Sequence, residues 1–323
     1  MTTPIGVLVM AYGTASGPDD IERYYTDIRG GRPPAPEHLA ELKERYAAIG
    51  NRFPLLDITK EQVAGLEREL NANDPGAFKA YLGMKHSAPF IAEGVGEMQR
   101  EGIERAVGIV MAPHWSGMSI DTYVERVEAM TGDAGPSFAF VRSFHDHPLF
   151  VELLASRVAD ALAKISPDAR GDAVVIFSAH SLPVRTLEDG TQRCLLCNTC
   201  EMSCRYHDGL GETAALVVEK LGPTRYTTAW QSAGRTADPW WGPPIEDVIA
   251  RMGAEGHCAV VVCSAGLVAD HLEILYDLDI EARAITEQRG MEFARTEMPN
   301  ADPAFARMLA AVVREHLSAE APA

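Results

Sequence analysis

A chain of 323 residues, 46% hydrophobic and 23% charged, exceeds the size at which one core stops growing and has apolar material for two cores of ordinary size. Its 46 Asp and Glu against 29 Lys and Arg leave a net charge of −17, which argues against nucleic acid, whose binding depends on neutralising phosphates with Lys and Arg. No apolar run approaches a membrane span, and the N-terminus lacks a charged n-region and a small-residue cleavage site, so a cytoplasmic enzyme is the default expectation. In chain order, residues 6–11 read as an apolar strand ending in Tyr12, Gly13 and Thr14. A helix follows, with Asp19 or Asp20 near its cap and Tyr24, Tyr25 and Ile28 on one side, and it ends in the turn Arg29-Gly30-Gly31-Arg32. Residues 36–48 form a second helix, opened by Pro36 and closed by Gly50, and Thr59-Lys60-Glu61-Gln62 matches a capping box that starts a third. Strands at 78–82 and 106–111 enclose a helix at 89–101, and 138–141 is a fourth, weaker strand. After a long helix at 148–165 the order repeats, with strands near Val174, Tyr226, Ala259 and Arg283 and helices at 212–221, 244–252 and 270–281. A last helix spans 303–317 behind an Asp302 cap. Strands alternating with helices imply βαβ units, so two sets of four strands predict two similar α/β domains, each a four-stranded parallel sheet flanked by helices.

The chemistry gathers at strand ends. Residues 173–177 have the length and composition of a strand buried on both faces, and His180 follows at its carboxyl edge, where open α/β sheets bind ligands. A buried imidazole bonded to a backbone carbonyl is the bland alternative. The most apolar strand, 259–263, leads into the segment DHLEILYDLDIEA, in which Glu273, Asp277 and Glu281 recur every fourth residue and so stack in one row. A solvated acidic face is one reading of that row. Leu272, Ile274, Leu275, Tyr276, Leu278 and Ile280 leave little of the helix for water, which favours divalent cations or proton removal. Between the two features, Cys194, Cys197, Cys200 and Cys204 place four thiolates in eleven residues, a density specific for a metal centre in a reducing compartment. The spacing is of ferredoxin type but ends in Arg205 rather than proline, so all four serve one centre, with a zinc tetrathiolate as the structural alternative. Cys258 and Cys263 read as small core hydrophobes.

VIFSAHSLP together with LVADHLEILYDLDIE resembles the ferrochelatases. MAYGT, ERYYTDIRGGR, LKERYAAIG, YLGMKH, WQSAGRTADPWWGP and EMPNA are similar to the soluble Gram-positive type that metallates coproporphyrin III. The resemblance implies two Rossmann-like domains with the porphyrin in the cleft between them. They would be residues 1–113, joined by the C-terminal segment 299–323, and residues 114–298, carrying His180, the cysteine loop and the acidic helix. It implies insertion of Fe²⁺ into coproporphyrin III to give coproheme with release of two protons, in haem biosynthesis. Protoporphyrin IX as substrate, giving protohaem, is the nearest alternative, and a haem-binding or iron–sulfur redox protein on the same fold is the alternative of another class. His180 and Glu273 match the family's catalytic pair, which would take protons or hold Fe²⁺ in transit, with Asp277 and Glu281 leading metal in or protons out. Tyr12 matches the residue facing the iron on the opposite wall. Arg29 and Arg45 are the matched propionate cations, with Thr14 and Tyr123 as hydroxyl donors and Ile28, Met118 and Trp230 as ring contacts. One departure is Phe53, which stands where relatives carry Ser before Pro54. Some bacterial ferrochelatases hold a [2Fe–2S] cluster in the region of the cysteine loop, so the resemblance favours that group over Zn²⁺ or [4Fe–4S]. Porphyrin and Fe²⁺ are the implied partners, with transient contact to neighbouring haem-pathway enzymes.

Overall fold

A computed structural model describes residues 3–132, 135–195, 205–234 and 236–319. Four parallel strands form the first sheet: β1 (Ile5–Ala11), β2 (Phe78–Met84), β3 (Arg105–Val110) and β4 (Ser137–Val141), in the order β2-β1-β3-β4. The second has the same form, with β5 (Val174–His180), β8 (Arg225–Gln231), β9 (Ala259–Ser264) and β10 (Glu292–Arg295) in the order β10-β9-β5-β8. A small antiparallel hairpin, β6 (Val184–Thr186) and β7 (Gln192–Cys194), leads into the cysteine loop. The helices are α1 (Ile21–Ile28), α2 (Pro36–Ala48), α3 (Leu55–Leu70), α4 (Ile91–Arg100), α5 (Ile120–Thr131), α6 (Pro148–Lys164), α7 (Pro167–Arg170), α8 (Arg205–Leu221), α9 (Ile245–Ala254), α10 (Arg283–Gln288) and α11 (Pro303–Ala319).

The central strands β1, β5 and β9 are runs of apolar, largely β-branched residues, and each is buried almost end to end, as strands covered on both faces must be. One continuous core links the sheets: Val7, Val9, Val107 and Ile109 of the first share it with Val175, Phe177, Val261 and Cys263 of the second, through Phe150 on α6 and Met308 and Leu309 on α11. Helix α11 packs on α3, β3 and β4 as well as on α6. Among the described residues no helix is long and apolar enough to cross a membrane.

Four expectations need correction. A boundary at residue 113 would sever β4 from its sheet, because Ser137–Val141 pairs in parallel register with β3. The last strand is Glu292–Arg295 rather than one near Arg283. There the β-branched pair Ile285-Thr286 is helical, and the Thr286 hydroxyl donates to the Ala282 carbonyl at 2.7 Å. Thr59 is not a cap, since α3 already begins at Leu55 and the Thr59 hydroxyl donates back to the Leu55 carbonyl at 2.7 Å. Finally, the acidic segment is not a regular α-helix. After Glu273 it widens to π geometry over Ile274–Ala282, a form found mostly at functional sites, before narrowing to α10.

Candidate active site between the two sheets

The carboxyl ends of β1, β2, β5 and β9 open onto one cleft of about 1360 Å³. Its first wall carries Tyr12 and Thr14 after β1, Ile28 and Arg29 at the end of α1, Arg45 on α2, Lys85 and His86 after β2, and Tyr123 and Arg126 on α5. The second carries His180 at the end of β5, Trp240, and His271 and Glu273 beyond β9. A close approach brings the second set together. The Gly266 N–H donates to the Ser178 carbonyl at 3.1 Å, and a Cβ at Gly266 would lie 2.4 Å from that of Ala179, so only glycine lets the loop after β9 fold onto the end of β5.

The two nitrogens of His180 have different partners. Nδ1–H donates to the Ser181 carbonyl, fixing the ring, so Nε2 points at Glu273 Oε1, 3.5 Å away. Tyr206 steadies the strand end by donating its hydroxyl to the His180 carbonyl at 2.8 Å. The bland expectation therefore holds for one nitrogen and the functional one for the other. Glu273 also meets His271, whose Nε2 lies 3.3 Å from Oε2 while Nδ1–H donates to the Ala269 carbonyl at 2.8 Å. Side chains of His180 and Glu273 are each 32% exposed, so the pair is wet only from the cleft. Burial works against charge on His180, but the Glu273 carboxylate outweighs it and lifts the imidazole to about 9. Burial likewise works against charge on Glu273, and His180, seconded by His271, holds it well below the usual carboxylate range. At neutral pH the cluster thus stores a proton between two imidazoles and a carboxylate, facing a cavity.

The acidic row divides by function. Asp277 is 2% exposed and does not line the cleft; Arg45 and the Ser232 hydroxyl both bond it. Burial still raises it to about 6 despite Arg45. Glu281, farther along, is also raised by burial, with Arg45 opposing. Arg45, expected to meet a substrate carboxylate, is thereby engaged with the protein's own acid, and its guanidinium lies 4.5 Å from the centre of the Tyr276 ring.

On the first wall Tyr12 is 45% exposed, its ring 4.7 Å from that of His86, which in turn meets Asp27 at 2.7 Å. Burial lowers His86 and raises the Tyr12 and Tyr123 phenols. Thr14 is buried at the cleft floor, with its N–H on Ser87 Oγ at 3.2 Å. Ile28 and Met118 line the cleft, and Arg29 is exposed at its edge with its guanidinium 5.9 Å from the Tyr25 ring centre. Trp230 corrects an expectation. It is 2% exposed and does not line the cleft, because it points from β8 into the core against Tyr206 and Trp241. Trp240 takes the wall instead, with Nε1–H on Thr236 Oγ1 at 3.0 Å. Phe53 stacks on Tyr46 at 4.5 Å, so its role here is packing.

Cys194 is buried at the end of β7, and the Trp241 indole N–H donates to its Sγ at 3.3 Å. Cys197, Cys200 and Cys204 lie outside the described residues. Cys263 is a core residue whose thiol burial pushes up to about 12, whereas Cys258, just before β9, is exposed rather than buried. His145, Asp146 and Glu212 form a separate donor group, each offering an atom within 4.8 Å of the others. Nothing in the spacing singled out His271, His86, Lys85 or Arg126. The available signal was position, since Lys85 and His86 directly follow a strand and His271 is two residues before Glu273.

Two parallel sheets whose strand ends enclose an imidazole–carboxylate pair define a chelatase-like α/β protein. The fold recurs in SirB from Bacillus subtilis with Fe³⁺, at a TM-score of 0.59 and 10% identity over 97% of this chain and 95% of that one. It recurs also in DR2241 from Deinococcus radiodurans, at a TM-score of 0.54 and 11% identity over 97% and 55%. The ferrochelatase family model matches residues 4–317, and the chain belongs to the ferrochelatase family. It is 44% identical over 316 residues to the coproporphyrin III ferrochelatases of Geobacillus sp. (strain WCH70) and Bacillus subtilis (strain 168), covering 97% of this chain and 98% of each relative. With that of Listeria monocytogenes it shares 40% over 321 residues, 98% of this chain and 100% of the relative.

Proposed function

We propose that this chain inserts Fe²⁺ into coproporphyrin III, giving coproheme and two protons, in the cytoplasm. The observation that carries the reading is the His180–Glu273 pair turned toward a cavity of tetrapyrrole scale. Metallation needs two N–H protons to leave the macrocycle, and bases close to its centre accept them. The resting pair already holds a proton, so His180 must release its own before it accepts another. An approaching dication supplies the push, because positive charge beside an imidazolium disfavours it. Glu273 and His271 offer the released proton a path, and Asp277 and Glu281, both raised by burial, would carry it or the metal along the row. Tyr12 would face the iron from the other wall. Thr14, Arg29 and Tyr123 would meet propionates, and Ile28 and Met118 the ring.

Anaerobic steady-state assays with both porphyrins test this. Preference for coproporphyrin III is expected; preference for protoporphyrin IX would reassign the substrate, and bound haem without Fe²⁺ insertion above the uncatalysed rate would make the protein a haem carrier.

The cysteine loop is proposed to hold a [2Fe–2S] cluster on Cys194, Cys197, Cys200 and Cys204. The chemistry of the one described donor supports it, since an indole N–H on Cys194 Sγ favours the thiolate that ligation requires. When bound, such a group would link Cys194 at the end of β7 to the other three thiolates; metal insertion itself changes no oxidation state. Purified protein should be brown, with iron and sulfide in equal amounts. Colourless protein with one zinc would overturn the assignment, and four irons per chain would change the cluster type.

A further inference from the structure

Several cations described for this acidic chain are paired: Arg23 with Asp20, Arg157 with Asp302, Arg295 with Asp279, Arg142 with Asp121 and, in the cleft, Arg45 with Asp277. Lys85 and Arg126 are different. Both line the cleft, one just after β2 and the other on α5, and among the described residues neither forms an ion pair. They are tied instead to neutral groups and to each other's segment. The Lys85 ammonium donates to Thr122 Oγ1 and lies 4.7 Å from the Tyr123 ring centre, and the Arg126 guanidinium donates to the Lys85 carbonyl. Glu125 is felt by Lys85 but does not neutralise it, and burial brings the ammonium down to about 8. Two adjacent cations without a counter-ion, at the rim of a cavity in a chain of net charge −17, call for an anion from outside.

Resting on the function proposed above, we infer that Lys85 and Arg126 form a second carboxylate subsite, one that binds the propionates coproporphyrin III carries where protoporphyrin IX has vinyl groups. With Arg45 committed to Asp277, Arg29 alone leaves a tetracarboxylate short of cations, and this pair supplies them from other elements of the same wall, the end of β2 and α5. Arg offers a fork and Lys a compact charge, so together they can hold two carboxylates or clamp one. On this assignment the choice between tetra- and dicarboxylate porphyrins is made at α5, away from the metal-inserting pair.

Equilibrium binding of the metal-free porphyrins, followed by fluorescence, tests the assignment without relying on turnover. Lys85→Gln with Arg126→Gln should weaken coproporphyrin III binding tenfold or more while protoporphyrin IX stays within threefold, and Lys85→Arg with Arg126→Lys should restore the difference. Arg126→Gln alone, at an exposed position, should give part of the loss and keeps the test available if the double variant does not fold. Equal losses for both porphyrins at unchanged Tm, or no loss for coproporphyrin III, would overturn the subsite. Unaltered protein that binds both porphyrins but inserts no Fe²⁺ into either would instead overturn the function and leave the binding comparison standing.

Discussion

The first wall brings to the cleft two phenols, one imidazole, a buried hydroxyl and several cations; the second brings two imidazoles and a carboxylate. Both sheets have the same strand order read outward from the centre and the same parallel pairing, so backbone architecture cannot account for the difference. What differs is how the charged groups are neutralised. On the second wall the charges compensate one another within a cluster that keeps its net proton, while on the first Lys85, Arg126 and Arg29 wait for a partner from outside. One wall is built to move protons and the other to hold anions, which illustrates that function resides in side chains grafted on a scaffold.

The sharpest way to break this division is to disable one wall and ask whether the other still works. His180→Ala and Glu273→Gln should each lower kcat by roughly 100-fold or more, the range expected for loss of a positioned acid–base group, with binding of coproporphyrin III kept within about threefold. A parallel loss of binding would mean that the second wall also holds the ring. The next effect is electrostatic. Glu273 is what lifts His180 to about 9 against burial, so Glu273→Gln should let burial win and drop the imidazole below its ordinary value of about 6.5, read by NMR titration of the His180 ring. Arg45 couples the walls more quietly. Arg45→Met leaves Asp277 buried without its cation and should cost about 3 kcal/mol in chemical denaturation near pH 8. Asp277 stands at about 6 with Arg45 present and would rise further without it, so the charged form, and with it the penalty, should fade as pH drops toward 5. The smallest effect is expected at the rim, where Trp240→Leu should raise KM for coproporphyrin III a few-fold with Tm nearly unchanged.

Most of the scaffold was legible because its strands are apolar runs between clear turn signals, and β5 placed His180 at a ligand-binding edge without any knowledge of contacts. Glu273 was legible as the start of a row. The width of the helix that follows was not, since the same fourfold spacing lines up on α and π geometry alike. Trp230 and Trp240 show another limit. Burial along β8 rises steadily from Arg225 to Gln231 instead of alternating, so no period told which face Trp230 takes, and β8 hid its direction. Arg45 could not be paired from sequence at all, because its partner is 232 positions away. The boundary at residue 113 came with the family resemblance although 138–141 already reads as the fourth strand of the first set, and the pairing of β4 with β3 places that strand at the edge of the first sheet.

The contact between Gly266 and Ala179 has a consequence for how this cleft can evolve. Two positions that crowd each other usually drift together, one shrinking as the other grows. Here shrinkage offers nothing: even with the Ala179 methyl gone, a side chain at 266 would meet the Ala179 Cα at 2.8 Å. No paired substitution at 179 can license a larger residue at 266, so lineages that diversify the rim must leave this hinge between the two chemistry-bearing strands untouched.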